Sequence, residues 1–317
     1  MGVFIVRRIA QSVPVLFGIS ILLFLLMHAM PGGPLALFVH QPGMTHKELN
    51  EIAAAYGINK PVWVQYWLWL TNALHGNFGY SYIYGVPAAQ MMFERMPATA
   101  ELMGSSFIVA LVIAFLLGIL SAVRQYSIID YLVTVVSYFG MSLPTFFLGI
   151  VAIILFSVEL HWFPSGGMTS VTATPTLAGR LWHLVLPAFV LGFFILAQWS
   201  RYIRSSMLEV IHQDYIRTAR AKGVPEGRVI WVHALRNAML PVVTVIILDA
   251  AFLAGGALVT ETIFAWPGMG RLFYQAISQS DYPVLMVIVS FLSVVIVFAN
   301  ILADVLYGVL DPRVTYS

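Results

Sequence analysis

Residues 205–241 read SSMLEVIHQDYIRTARAKGVPEGRVIWVHALRNAMLP, a charged and helix-prone block in a chain that is otherwise almost wholly apolar. Glu209, Asp214, Arg217, Arg220, Lys222, Glu226, Arg228 and Arg236 all fall inside it. Hydrocarbon does not accept such a density of charge, so the block belongs in water and the apolar runs on either side belong in lipid. Its local pattern divides into two helical pieces. Tyr215 to Lys222 is rich in good helix formers, Gly223 suits a helix C-terminus, and Pro225 suits the first position of a new helix. From spacing alone, the resulting helix–turn–helix fits either a solvated amphipathic loop or a docking element for a soluble partner.

Working outward, composition places the whole chain in a membrane. Of its 317 residues 60% are apolar and 9% charged, with a mean hydropathy of +0.88, outside the usage of soluble domains. A helix crosses the hydrocarbon core with roughly 20 apolar residues. On that count six spans are expected, at about 9–30, 102–123, 131–160, 184–202, 239–260 and 284–309. The fold class is therefore an all-α integral membrane protein forming a single transmembrane domain over 1–317, with an outer segment at 31–97 and the polar loop at 205–238. Arg7 and Arg8 ahead of an apolar run mimic a secretory signal, but the run is longer than a signal core and reads as a retained span.

Lysine and arginine favour the cytoplasmic side. With the N-terminus inside, Arg7, Arg8, Arg124, Arg201, Arg204, Arg217, Arg220, Lys222, Arg228, Arg236 and Arg313 are cytoplasmic. Lys47, Lys60, Arg95, Arg180 and Arg271 are left outside. This asymmetry predicts that both termini and the 205–238 loop are cytoplasmic.

Several local signals stand out. Thr45 and Glu48 have capping-box spacing and open a helix through Ala54 that ends at Tyr56-Gly57. Pro61 to Leu74 carries Trp63, Tyr66, Trp67 and Trp69, as an interfacial helix does. Ser142-Leu143-Pro144 should kink the third span, which makes Ser142 a candidate for the wall of a pathway as well as for packing. Asp249 lies near the middle of the fifth span. It fits the lining of a substrate path, a structural hydrogen bond or proton coupling. Gly255 and Gly256 allow close helix approach. Trp266-Pro267-Gly268 makes a turn followed by a short amphipathic helix, a long insertion for a mere connection and a candidate contact for an external protein. Asp304 needs a polar neighbour near the inner end of the last span.

No catalytic or metal constellation appears. The chain has no cysteine; no G-x-x-x-x-G-K-[ST], H-E-x-x-H or G-x-S-x-G occurs, and the eight histidines show no ligand spacing.

RTARAKG followed by HALRNAMLP resembles the cytoplasmic loop of binding-protein-dependent ABC importer permeases, in the dipeptide, oligopeptide and nickel branch. The general pattern there is Glu-Ala-Ala, three residues, Gly, then a downstream Leu-Pro. Here Arg217, Thr218 and Ala219 stand at the Glu-Ala-Ala positions, Gly223 matches, and Leu240-Pro241 closes the block later than usual. The branch itself reads close to DYIRTARAKG. FIVRRI, PGGP, RMPATAEL, SLPTF, ETIFAWPGMGRL and the terminal DPR extend the resemblance over essentially the whole chain, with Gly33 where the branch usually has Asp.

This resemblance implies a permease subunit that forms half of a peptide pathway in a bacterial or archaeal plasma membrane. Its partners would be a second homologous permease, two cytoplasmic ATPases and an external solute-binding protein, with the bilayer around it and no nucleic acid. ATP and Mg would sit on the ATPases, with no cofactor on this chain. Coupling to the ATPase would fall to Asp214, Arg217, Thr218, Ala219, Arg220, Lys222, Gly223 and Glu226. Nickel or oligosaccharide cargo stays open within the branch, and an ion-coupled secondary transporter is the alternative outside it.

Overall fold

The computed structural model describes residues 2–29, 45–55, 57–170, 174, 176–253 and 257–310. The PGGP segment, Gly255-Gly256 and the terminal Asp311-Pro312-Arg313 lie outside the described residues. In chain order the first helices are α1 (Gly2–Ala29), α2 (His46–Ala55), α3 (Val62–Leu74), α4 (Ala88–Val123), α5 (Ile128–Ser142) and α6 (Thr145–Ala152). They are followed by α7 (Leu177–Ile211), α8 (Asp214–Ala221), α9 (Glu226–Arg228), α10 (Leu235–Leu253), α11 (Leu258–Ile263), α12 (Met269–Ser278) and α13 (Tyr282–Leu310). Among the described residues no strand forms; one isolated bridge pairs Tyr80 with Pro87.

Among the described residues, five helices are long and apolar enough to cross a membrane: α1, α4, α7, the continuous helix from Glu226 through α10, and α13. A sixth candidate is the pair α5 and α6, the latter prolonged by a π-helical turn over Ile153–Glu159. The two members of that pair are bent by 102° at Leu143-Pro144. The expected kink is therefore a full break, and 131–160 is not one straight rod. Pro144 ends one helix and leads the next because it cannot donate to the preceding turn.

Other boundaries move for identifiable reasons. The second span begins at Ala88 rather than near 102, because Pro97 is accommodated inside α4. The fourth runs from Leu177, where the Thr176 side chain accepts from the Gly179 N–H at 3.1 Å, to Ile211, well past Tyr202. The polar loop is correspondingly shorter than 205–238: helix resumes at Glu226 and continues through a π-helical turn at Val229–Ala234 into α10.

The centre of the molecule is the packing of α4 on α7. Ala98, Leu102, Ser106, Ala110, Ala114, Gly118 and Ala122 are all buried, one every four residues. Small side chains at that spacing let two helix backbones approach closely over a long run, which is how helices associate where lipid offers no hydrophobic drive. The facing positions on α7 include Leu191, Ile195, Trp199, Ile203 and Met207. Elsewhere, α1 is exposed along most of its length and is anchored by Phe24, which packs with Tyr66 of α3 and Met286 of α13. The Thr45–Glu48 capping box closes as its spacing predicts: the Thr45 N–H donates to Glu48 Oε2 at 2.8 Å, and the Glu48 N–H to Thr45 Oγ1 at 3.3 Å.

Candidate functional site

The link between α7 and α10 is built from a short run of residues. Ile216 of α8 is fully buried in the cluster that holds Met207, Val229 and Ala234. That one side chain pins an otherwise polar helix to the ends of two long ones. Burying an isoleucine is worth about 2 kcal/mol. The Thr218 hydroxyl donates to the Asp214 carbonyl at 2.9 Å, and Arg217 lies 3.8 Å from the Asp214 carboxylate.

The turn after α8 is a Schellman motif. The Val224 N–H donates to the Ala219 carbonyl at 3.2 Å and the Gly223 N–H to the Arg220 carbonyl at 2.9 Å. Gly223 has φ = 74°, in the left-handed region that favours glycine, and no atom stands within 4 Å of where its Cβ would be. Within this chain its role is backbone geometry, as its place at a helix C-terminus predicts. Ala219 and Val224 instead pack against the main core.

Across the turn, Arg220 grips Glu226 with two hydrogen bonds, Nε to Oε2 at 3.1 Å and Nη2 to Oε1 at 2.7 Å. The guanidinium holds the Glu226 carboxyl below its ordinary value, and the carboxylate raises that of Arg220. Both groups stay largely in water, as do Asp214, Arg217, Thr218 and Lys222. Trp231 and Val232 add exposed apolar surface on the π-helical turn that follows. The structure thus presents a compact, mostly basic knob whose two stems are membrane-length helices.

Behind the knob lies a constellation that local sequence does not announce. Arg204 of α7 donates to both oxygens of Asp130, Nε to Oδ1 at 2.6 Å and Nη2 to Oδ2 at 2.9 Å. The Ser121 hydroxyl and the Tyr126 N–H donate to the same carboxylate. Asp130 is only 3% exposed. One carboxylate therefore ties α4, the α4–α5 turn and α7 together just above the knob.

At the opposite end, the ETIFAWPGMGRL stretch forms a second corner. Trp266 is fully buried and its indole N–H donates to the Ala98 carbonyl at 2.7 Å; Gly268 is buried as well. The expectation that Trp266 and Gly268 offer contact to an external protein is corrected here, since both are consumed by the fold and Pro267 alone is partly exposed. Glu261, also fully buried, accepts from the Thr99 hydroxyl at 2.9 Å and from the Arg271 N–H at 2.9 Å. The Thr99 hydroxyl in turn accepts from the Met269 N–H at 2.7 Å. Glu261 and Thr99 thereby satisfy free N–H groups at the start of α12. Burial nonetheless pushes the Glu261 carboxyl above its ordinary value, against the pull of those donors.

Asp249 of α10 accepts from the Trp199 indole N–H at 2.7 Å and lines a cavity of about 330 Å³ with Thr145, Gln198 and Thr260. Ser142 is not in that cavity. It is exposed at the end of α5 with its hydroxyl turned back to the Tyr138 carbonyl at 2.8 Å, and the break at Pro144 puts Thr145 beside Asp249 in its place. Asp304 receives Arg8 at 3.2 Å.

Comparison with known proteins gives a consistent picture. Residues 114–316 match the family model described as binding-protein-dependent transport system inner membrane component, and residues 1–103 match the model of its N-terminal region. The oligopeptide transport system permease AppB of Bacillus subtilis is 44% identical over 317 residues, covering all of both chains. A putative peptide transport system permease of Brucella abortus is 41% identical over the same length. The dipeptide transport system permease DppB of Escherichia coli is 39% identical, with 99% of each chain covered.

Proposed function

Since the chain belongs to the family of binding-protein-dependent transport system inner membrane components, we propose that it forms half of the translocation pathway of an ATP-driven importer of short peptides. The relatives' names support the peptide cargo, as does the DYIRTARAKG sequence of α8. In this reading both termini and the knob are cytoplasmic, the membrane is the plasma membrane of a bacterium or archaeon, and the 57–87 and 258–281 segments face outward. A second permease completes the pathway, two ATPases meet the knobs, and a solute-binding protein delivers cargo to the outer face. ATP and Mg are handled by the ATPases, because this chain carries no phosphate-binding loop.

One observation carries the coupling role: an exposed polar knob is locked to two membrane-length helices by Ile216, the Schellman turn and the Arg220–Glu226 clasp. A rigid element joined to moving helices lets differential ATP binding bias two arrangements of the pathway. Arg217, Arg220, Lys222 and Asp214 are the groups an ATPase groove would read; Thr218 and Gly223 hold their geometry. Asp249 serves the path, its carboxylate positioned by Trp199 in the cavity it lines with Thr145 and Gln198.

The test is affinity purification of this chain in mild detergent, mass spectrometry of its companions and an ATPase assay with di- and tripeptides. Recovery of ATPases, a second permease and a binding protein whose peptide-loaded form stimulates hydrolysis is the expected result. A lone folded chain that transports in liposomes without ATP would overturn it.

A further inference from the structure

Two cavities open on one face of α7 and share Gln198. The first is the cavity beside Asp249. The second, of about 450 Å³, lies between α5 and α7 and is lined by Thr134, Tyr138, Gln198, Arg201 and Ser205. Gln198, Arg201 and Ser205 recur at helical spacing on the face of α7 onto which these cavities open, with Arg201 set against Tyr138 and Met141 of α5. Lipid does not favour a glutamine, an arginine and a serine in register, and such a stripe belongs instead to a wetted path.

The charges at the two ends are free to act. Arg204, one turn along, is spent on Asp130, whereas among the described residues Arg201 has no carboxylate partner. Its guanidinium lies 4.3 Å over the Tyr138 ring and donates to Met141 Sδ and Tyr138 Oη, which orient the group without neutralising it. At the other end, Trp199 occupies one oxygen of Asp249, and the carboxylate faces the first cavity. The α7 residues that line the first cavity run from Leu191 to Gln198 and those that line the second from Gln198 to Ser205, so the middles of the two stretches lie about 10 Å apart along the axis. A fully extended chain of three residues spans about 10 Å.

We propose that these two cavities are the ends of one site for a short zwitterionic peptide, its ammonium at Asp249 and its C-terminal carboxylate at Arg201. The inference rests on the peptide reading given above and adds an orientation to it: the carboxylate end lies toward the knob and leads. A carboxylate pairs with the planar guanidinium through two parallel hydrogen bonds, and an ammonium pairs with a carboxylate as a point charge. Gln198, between the two, offers both a donor and an acceptor to a peptide bond.

The chain has no cysteine, so Arg201→Cys creates a thiol unique within it. The complete importer carrying R201C, reconstituted in vesicles with its binding protein, is assayed for uptake of radiolabelled trialanine. Unsubstituted importer serves as the labelling control. Uptake is expected to fall about tenfold, the loss of one charge-assisted contact. A cationic methanethiosulfonate should restore it to within about twofold, while an anionic one should not. Trialanine at saturating concentration should slow the labelling severalfold by occupying the site; Asp249→Asn should abolish that protection. Equal rescue by both reagents, or labelling indifferent to peptide, overturns the site and leaves Arg201 to a lipid phosphate or to structure. An unsubstituted importer that takes up no peptide at all overturns the cargo reading itself, and the site with it.

Discussion

The knob at 212–226 and the corner at 258–271 were expected to behave alike, as polar turns that present themselves to proteins on opposite sides of the membrane. They are opposites. In the knob, Arg220 and Glu226 clasp each other in water and only Ile216 is buried. In the corner, Glu261, Trp266 and Gly268 are all buried, and a carboxylate organises the start of α12. Polarity in a membrane chain therefore does not equal exposure. A carboxylate that can satisfy N–H groups at a helix start is as good a reason for a polar turn as a partner surface is.

Substitutions can break or sharpen that contrast. The largest effect is expected from Gly268→Ala. Its Cβ would stand 2.5 Å from both the Glu261 carboxyl and Thr99 Oγ1, so the corner must rearrange, at a cost of about 3 kcal/mol or more. Thermal unfolding in detergent should show a large drop in midpoint, and an unchanged midpoint would mean that the corner yields freely.

Next is Glu261→Ala, which strands the Thr99 hydroxyl and the Arg271 N–H and should cost about 1–3 kcal/mol; Glu261→Gln should cost less. The sign of the pH effect follows from the raised folded value. Folding favours the protonated acid, so its contribution is complete below the ordinary glutamate value and is lost as pH rises through the folded one. Melting curves of the Gln variant against pH should lack this component. If the parent and Gln curves run parallel, Glu261 does not titrate in this range.

In the knob, Gly223→Ala forces a side chain into φ = 74° at about 1 kcal/mol. Because nothing crowds the site, the global midpoint should move little while affinity for the ATPase, measured by co-purification yield, falls. Weakest is Glu226→Gln, worth less than about 1 kcal/mol and screened by salt. Its carboxyl is held low by Arg220, so its contribution is present above the ordinary glutamate value and fades as pH falls through the depressed one. A shift of several degrees at neutral pH would show that the clasp supports much more than the turn.

What was legible in the sequence was whatever is local. The Thr45–Glu48 box, the α8 helix, Gly223 at its end and a bend at Pro144, though not its size, all depend on neighbours within a few residues, and the apolar runs report lipid directly. Boundaries were less legible, because Pro97 sits inside a helix rather than ahead of it and because α7 starts at the Thr176 cap, beyond the apolar run. Long-range pairs were not legible at all: Arg204 with Asp130, Arg180 with Glu101 and Thr99 with Glu261 join residues far apart in the chain. The four-residue recurrence of Ser106, Ala110, Ala114, Gly118 and Ala122 was present in the sequence as a signal, and reading it would have identified the α4–α7 seam.

The π-helical turn at Val229–Ala234 sits where the knob joins the membrane helix. Such a turn takes in one residue more than an α-helical turn while leaving the helix unbroken. The number of residues between knob and membrane is thereby decoupled from the compass bearing of the knob. An added residue in a plain α-helix swings everything beyond it by about 100°, but here the surplus is absorbed in one loop of wider backbone. Removing one residue from 229–234 should therefore shorten the joint yet leave both faces pointing where they did, whereas the same deletion inside α10 would turn the knob away from whatever it meets.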